Sequence, residues 1–144
     1  YNPNLLNDSA KIFGSQCIVL AMDVKKNSNS WYVHTHAGTN NTKIDALDWA
    51  KEAVDRGCGE ILLTSMDADG TQKGIDDEIT SMISDLVDVP IIASGGIGKL
   101  IHFKDAIING KADAVLAASV FHRDIFSIHE IKDYLNNQRI PIRK

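Results

Sequence analysis

Residues 60–76 read EILLTSMDADGTQKGID, an apolar run that empties into small polar groups. Ile61, Leu62 and Leu63 show none of the alternation of a strand with one wet face. A short unbroken apolar run bounded by turn residues predicts a strand buried on both faces, as in a parallel sheet. Thr64, Ser65, Asp67, Asp69, Gly70, Thr71, Gly74 and Asp76 follow it. Three readings of that tail stand open: a calcium loop opened by Asp67 and Asp69, a solvated turn, or the rim of a site at the carboxyl end of a strand. The calcium reading fails on spacing, because Gly70 falls at position 4 of such a loop and the sharp turn needs glycine at 6.

Working outward, three more runs repeat the pattern: residues 17–22 (CIVLAM), 90–93 (PIIA) and 114–117 (AVLA). Helical periodicity separates them. Residues 5–13 predict a helix opened by Asn-Pro-Asn, with Asn2 or Asn4 as its cap. Residues 45–56 place Ala46, Leu47, Trp49, Ala50 and Val54 on one side, and Gly57 or Gly59 can end that helix. Residues 76–87 do the same with Ile79, Met82, Ile83 and Leu86; residues 100–109 and 128–135 complete the set. Residues 25–40 (KKNSNSWYVHTHAGTN) differ, alternating Trp31, Val33 and Thr35 against Tyr32, His34 and His36 like a hairpin arm. The order is one helix and then four strand–helix units, an α/β class with a parallel sheet and right-handed crossovers.

The totals bound the function. A chain of 144 residues, 44% hydrophobic and 24% charged, is one domain with a real core. A net charge of −4 gives no electrostatic reason to bind nucleic acid or an anionic membrane. No apolar run approaches a membrane span, and the opening YNPNLLNDSAKIFG lacks the pattern of a signal peptide. Cys17 and Cys58 are too few and too far apart for a metal cluster or disulfide framework. They read as reduced, buried or half-buried thiols of a cytoplasmic protein. The chain does not open on Met, which points to a fragment or a processed chain.

Ligands of parallel α/β folds gather where the strands end. The first run delivers Asp23 and Lys25 there, and the second Thr64, Ser65, Asp67 and Asp69. The third delivers Ser94, Gly95, Gly96 and Gly98, and the fourth Ala118, Ser119 and His122. The SGGIGK stretch between a strand and a helix fits a phosphate held by glycine amides and a helix start. Taken alone, a tight turn explains it equally well. The AASVFH stretch that follows favours phosphate, because barrel phosphate sites use the loops after the last two strands. Asp23 closes an apolar strand, where a partly desolvated carboxylate suits acid–base work. Pairing with Lys25 or Lys26, or capping a turn, remains equally open, and Asp69 could share acid–base duty. Glu60 begins its strand and so belongs to the opposite rim. His34, His36, His102 and His129 share no ligand spacing and read as surface or loop histidines. Trp31, Tyr32 and Trp49 read as packing residues.

Four segments taken together go further. LAMDVK (20–25), GCGEILLTSMDADGTQKGID (57–76), VPIIASGGIGK (89–99) and ADAVLAASVFH (112–122), in this order and spacing, closely resemble the C-terminal half of the cyclase subunit of imidazole glycerol phosphate synthase. The resemblance covers nearly the whole chain. It implies a (β/α)8 TIM-barrel fold of which this chain supplies a C-terminal half-barrel of four βα units, as a single domain. It implies a lyase of histidine biosynthesis. Ammonia from a glutaminase subunit would attack a bisphosphorylated ribulosyl-formimino aminoimidazole carboxamide ribonucleotide (PRFAR), releasing imidazole glycerol phosphate and aminoimidazole carboxamide ribonucleotide. Asp23 would be one of two catalytic aspartates. Gly70, Ser94, Gly95, Gly96, Ala118 and Ser119 would form one of two phosphate sites. Thr64 and Asp69 would line the substrate channel, and Glu60 would join the charged gate where ammonia enters. Asn41 and Thr42 match a segment that closes on substrate, while Ala37 stands where some members carry a polar residue. No cofactor and no metal are implied.

The family barrel has eight strands and looks like two duplicated halves. The other aspartate, the second phosphate site and the remaining gate charges belong to the N-terminal half. A four-unit half has open sheet edges and an uncovered apolar face. It is therefore expected to pair with an N-terminal half-barrel or with a second copy of itself.

Overall fold

All four apolar runs become strands in the computed structural model, which describes residues 2–143. The chain opens with α1 (Asn4–Phe13), where the Asn4 amide donates to Asn2 Oδ1 at 3.2 Å. A short 3-10 turn leads into β1 (Val19–Asn27), which folds back as β2 (Ser30–Thr35) and β3 (Asn40–Asp45). Then come α2 (Ala46–Asp55), β4 (Glu60–Ser65), α3 (Asp77–Leu86), β5 (Ile91–Ser94), α4 (Leu100–Ile108), β6 (Ala114–Leu116), the single turn α5 (Ser119–His122) and α6 (Ile128–Asn137). The expected parallel sheet is present as β1-β4-β5-β6. The hairpin arm adds two antiparallel strands, so the sheet has six, ordered β3-β2-β1-β4-β5-β6. The chain is an α/β protein with alternating βα units, built as half of a TIM barrel is, and its sheet is open.

Side chains at the helix starts fix where the helices begin. Asp45 Oδ1 accepts from the Leu47 and Asp48 amides at 2.9 and 3.3 Å, and Asp76 caps α3 through the Ile79 amide. Ser127 and Glu130 form a reciprocal capping box on α6. Gly57 ends α2 at φ +105°, and a Cβ there would stand 2.6 Å from Ala10 Cβ. Only glycine lets α1 lie against this turn.

The strands correct one expectation. They are buried on one face, not two. Met22 and Val24, Ile61 and Leu63, Ile91 and Ala93 alternate into a core closed by α2 and α3, with Trp31 and Val33 extending it onto β2. A second core joins Ile97, Phe103, Val120, Ile131, Leu135 and Ile140 around α4 and α6. Among the described residues no helix lies over the opposite face of the sheet: Val19 is 48% exposed and Leu116 43%. The unbroken apolar run was compatible with burial on two faces, but this chain supplies a layer for only one. Two smaller corrections follow. Cys58 is buried, but Cys17 is exposed, because it lies in the 3-10 turn ahead of β1 rather than in the strand. His102 is buried in α4, not on the surface.

Candidate functional site

Register carries the predicted polar residues to one row. Asp23 pairs with Thr64, Thr64 with Ser94, and Ser94 with Leu116 across β1, β4, β5 and β6. Neighbours in register point to the same side of a sheet. The row therefore lies on the uncovered face, at the carboxyl end of every parallel strand. Ala21, Leu62, Ile92 and Ala114 form the row beneath, and Val19 and Glu60 the one beneath that. Glu60 sits on the same face as Thr64, about 13 Å away at the opposite rim. The side chains of Asp23, Thr64, Asp69, Ser94 and Ser119 have no hydrogen-bond partner among the described residues. Of the two lysines that could pair with Asp23, Lys26 is engaged elsewhere: its Nζ meets Glu78 Oε2 at 2.7 Å and lies 4.3 Å from the Trp31 ring centroid.

Two hollows open beside this row. The first, about 140 Å³, is walled by Asp69, Gly70 and Gln72, by the 94–97 turn and by residues 116–119. It takes in all six positions expected to form a phosphate site: Gly70, Ser94, Gly95, Gly96, Ala118 and Ser119. Its volume is below that of a drug-sized ligand pocket and suits the end group of a longer molecule. The second, about 330 Å³, is lined by Asp23, Ala37, Gly38, Thr64, Met66 and Asp69. Asp69 borders both, so the hollows adjoin along one carboxylate.

The polar tail of β4 divides its labour. Asp67 Oδ2 accepts from the Lys26 amide at 2.7 Å and so closes the end of β1. Asp76 Oδ2 accepts from Trp31 Nε1 at 3.0 Å and Ser65 Oγ at 3.2 Å, tying the hairpin arm, β4 and α3 together. Among the described residues no group of three or more His, Cys, Asp and Glu side chains is placed to hold a metal ion. Asp69 alone of the three aspartates turns to the hollows. Behind them, Asp77 sits at the start of α3 with Oδ1 buried and unpartnered. Burial raises its carboxyl above the ordinary aspartate range, Asp105 and Asp76 push the same way, and Asn109 and His102 oppose them.

The glycine turn is built differently from the expectation. Gly95 and Gly96 take φ of +94° and +91°. A Cβ on Gly96 would collide with the Gly74 carbonyl, and the Gly74 amide donates to Gly96 O at 2.8 Å. Close approach of two loops therefore demands glycine here, independently of any ligand. The helix start does not reach the hollow either: α4 begins at Leu100, whereas the lining ends at Ile97. The helix that touches the hollow is α5, through Ser119. Sequence reasoning missed Gln72, Ile97, Leu116 and Ala117 in the first hollow and Gly38 and Met66 in the second. Gly38 offered a signal, since a glycine between His36 and Thr39 marks a turn. Asn41 and Thr42 lie on β3, away from both linings, with Thr42 Oγ1 donating to Val33 O at 2.7 Å.

Comparison with known families bears directly on this arrangement. The sequence profile of a family described as "Histidine biosynthesis protein" matches residues 1–127, which takes in every strand and both hollows. This chain, with its row of polar groups at the carboxyl ends of the parallel strands, belongs to the histidine biosynthesis protein family.

Proposed function

We propose that this chain is the C-terminal half of the cyclase barrel of imidazole glycerol phosphate synthase. In this reading it converts PRFAR and ammonia to imidazole glycerol phosphate and aminoimidazole carboxamide ribonucleotide. The supporting observation is the shared border of the two hollows. Asp23 and Thr64 line one, the glycine turn and Ser119 line the other, and Asp69 belongs to both.

The roles are the ones the family resemblance implies, and that geometry is the support for them. A phosphate end of the substrate enters the smaller hollow against Gly70, Ser94, Gly95, Gly96, Ala118 and Ser119. Fixing one end places the reacting centre over Asp23 and removes orientational freedom before chemistry begins. Asp23, half-buried and without a cation on its carboxylate, moves the proton as ammonia attacks. Thr64 and Asp69 guide the chain of the substrate between the two positions. Glu60, at the far rim of the same face, serves the gate through which ammonia arrives from a glutaminase subunit. The second phosphate site and the second aspartate come from an N-terminal half-barrel that covers the bare sheet face.

The test is ammonia-dependent turnover of PRFAR by this chain alone and mixed with a separately produced N-terminal half. Activity confined to the mixture supports the reading. No activity despite proven association of the halves overturns its catalytic part. The uncovered face favours one second reading, a half-barrel that binds phosphate without turnover. That outcome would show as phosphate binding with no product in either sample.

A further inference from the structure

The glycine turn of the smaller hollow is braced from behind by a residue with no role so far. His102, in the first turn of α4, is 8% exposed and is the one histidine among the buried polar residues described. The Gly98 amide donates to its Nδ1 at 3.1 Å. A nitrogen that accepts carries no proton, so this bond exists with Nδ1 bare. The other flank of the ring, at Cδ2, lies 3.6 Å from where a Gly74 Cβ would stand. Gly74 in turn holds Gly96 through its amide, 2.8 Å from the Gly96 carbonyl. Gly98 packs as tightly on the same loop, since a Cβ there would come 2.6 Å from Gln72 Cβ. One ring thus bonds to the 94–98 loop directly and stands beside the 70–74 loop, and both loops wall the hollow.

We propose that His102 is a positioning residue that sets the glycine turn, and through it the shape of the hollow, by holding the Gly98 amide from its place beside Gly74. The inference rests on the phosphate reading of that hollow. Its physical basis is the cost of leaving a shielded amide without an acceptor. If the ring nitrogen is removed, Gly98 must turn elsewhere for an acceptor, and it cannot move without Gly96 and Ile97. An apolar side chain of similar bulk fills the space but leaves the amide unmet. Asparagine keeps an acceptor at the same reach along the side chain.

The experiment uses the whole chain, with inorganic phosphate as probe, and compares wild type with His102→Asn and His102→Leu. Far-UV circular dichroism establishes that each is folded. Phosphate affinity and amide exchange at Gly98 and Gly96 are then read by NMR. The expected result is affinity retained in His102→Asn and about tenfold weaker in His102→Leu, with faster Gly98 exchange in the leucine variant alone. Equal Gly98 exchange and equal affinity in all three overturns the proposal. If His102→Leu fails to fold, His102→Asn decides: loss of affinity or of Gly98 protection in a folded asparagine variant refutes the acceptor role. Should wild type itself ignore phosphate, the anion reading of the hollow fails. Gly98 exchange then judges the brace on its own, slow in wild type and asparagine and fast in leucine if it holds.

Discussion

The two faces of the parallel sheet come from the same four strands and do opposite work. One carries Met22, Val24, Ile61, Leu63, Ile91 and Ala93 under α2 and α3, and it holds the fold together. The other carries Asp23, Thr64 and Ser94 in one row and Glu60 at the far rim, and no helix among the described residues covers it. A strand turns its side chains to alternate faces, so one residue of offset separates packing from chemistry. Val24 is sealed in the core, and Asp23 beside it meets the hollow. The comparison teaches that an unbroken apolar strand need not be uniform: in β4 and β5 the last residue on the open face, Thr64 or Ser94, is polar and lines a hollow.

The comparison can be broken or sharpened by substitution, beginning with the largest effect. Asp23→Asn in the reassembled barrel should lower turnover about a thousandfold while phosphate affinity and melting temperature stay near wild type. Surviving activity would remove Asp23 from the mechanism. Leu63→Ala on the covered face should cost about 2–5 kcal/mol in urea unfolding of the chain, and Leu62→Ala on the open face distinctly less. Equal losses would mean that the open face is buried in solution, by a second copy or otherwise, and the unfolding midpoint would then depend on protein concentration. Gly95→Asp should weaken inorganic phosphate binding by about tenfold or more, through charge and through a Cβ 3.1 Å from Ser65 O. Unchanged affinity would move the anion away from the glycine turn.

The smallest effects are proton-linked, and two carboxylates give them opposite signs. Asp77 is raised by burial, so the folded chain holds its proton more tightly than the unfolded one. Its contribution is most favourable at acid pH and declines as pH rises through the raised value. Glu130 is lowered by the hydrogen bonds it accepts from the Ser127 amide and hydroxyl. Its contribution is present above the ordinary glutamate range and fades as pH falls through the lowered value. Melting curves across the acid range should therefore flatten at their neutral end in Asp77→Asn and at their acid end in Glu130→Gln. Curves parallel to wild type would show that neither group is linked to folding.

Much of this was legible in the chain itself. The four apolar runs, the helices between them and the polar groups at their ends follow from local periodicity, which survives in one dimension. The helix starts near residues 45, 76 and 128 were legible from periodicity, and the structure shows Asp45, Asp76 and Ser127 capping them through amides two or three residues away. What stayed hidden depended on contacts distant in sequence. β3 carries too few apolar residues for a period of two to show, and it exists because β2 offers it an edge. The fate of three aspartates in one tail was likewise undecided. Asp67 meets Lys26 and Asp76 meets Trp31, partners 41 and 45 residues away, and only Asp69 remains for the hollows. His102 looked like a surface histidine because nothing near it in sequence shows that the loop carrying Gly74 lies beside its ring.

By itself, then, the sequence determined the α/β class, the parallel order of strands and the end of the sheet where the polar groups collect, since each is set by short-range pattern and chain direction. Only the tertiary structure decided which face of the sheet is bare, that Asp69 joins two hollows, and that Gly96 is demanded by the Gly74 carbonyl as much as by any anion. These are matters of register and close approach between segments far apart in the chain, where a shift of one residue reverses the face a side chain points to.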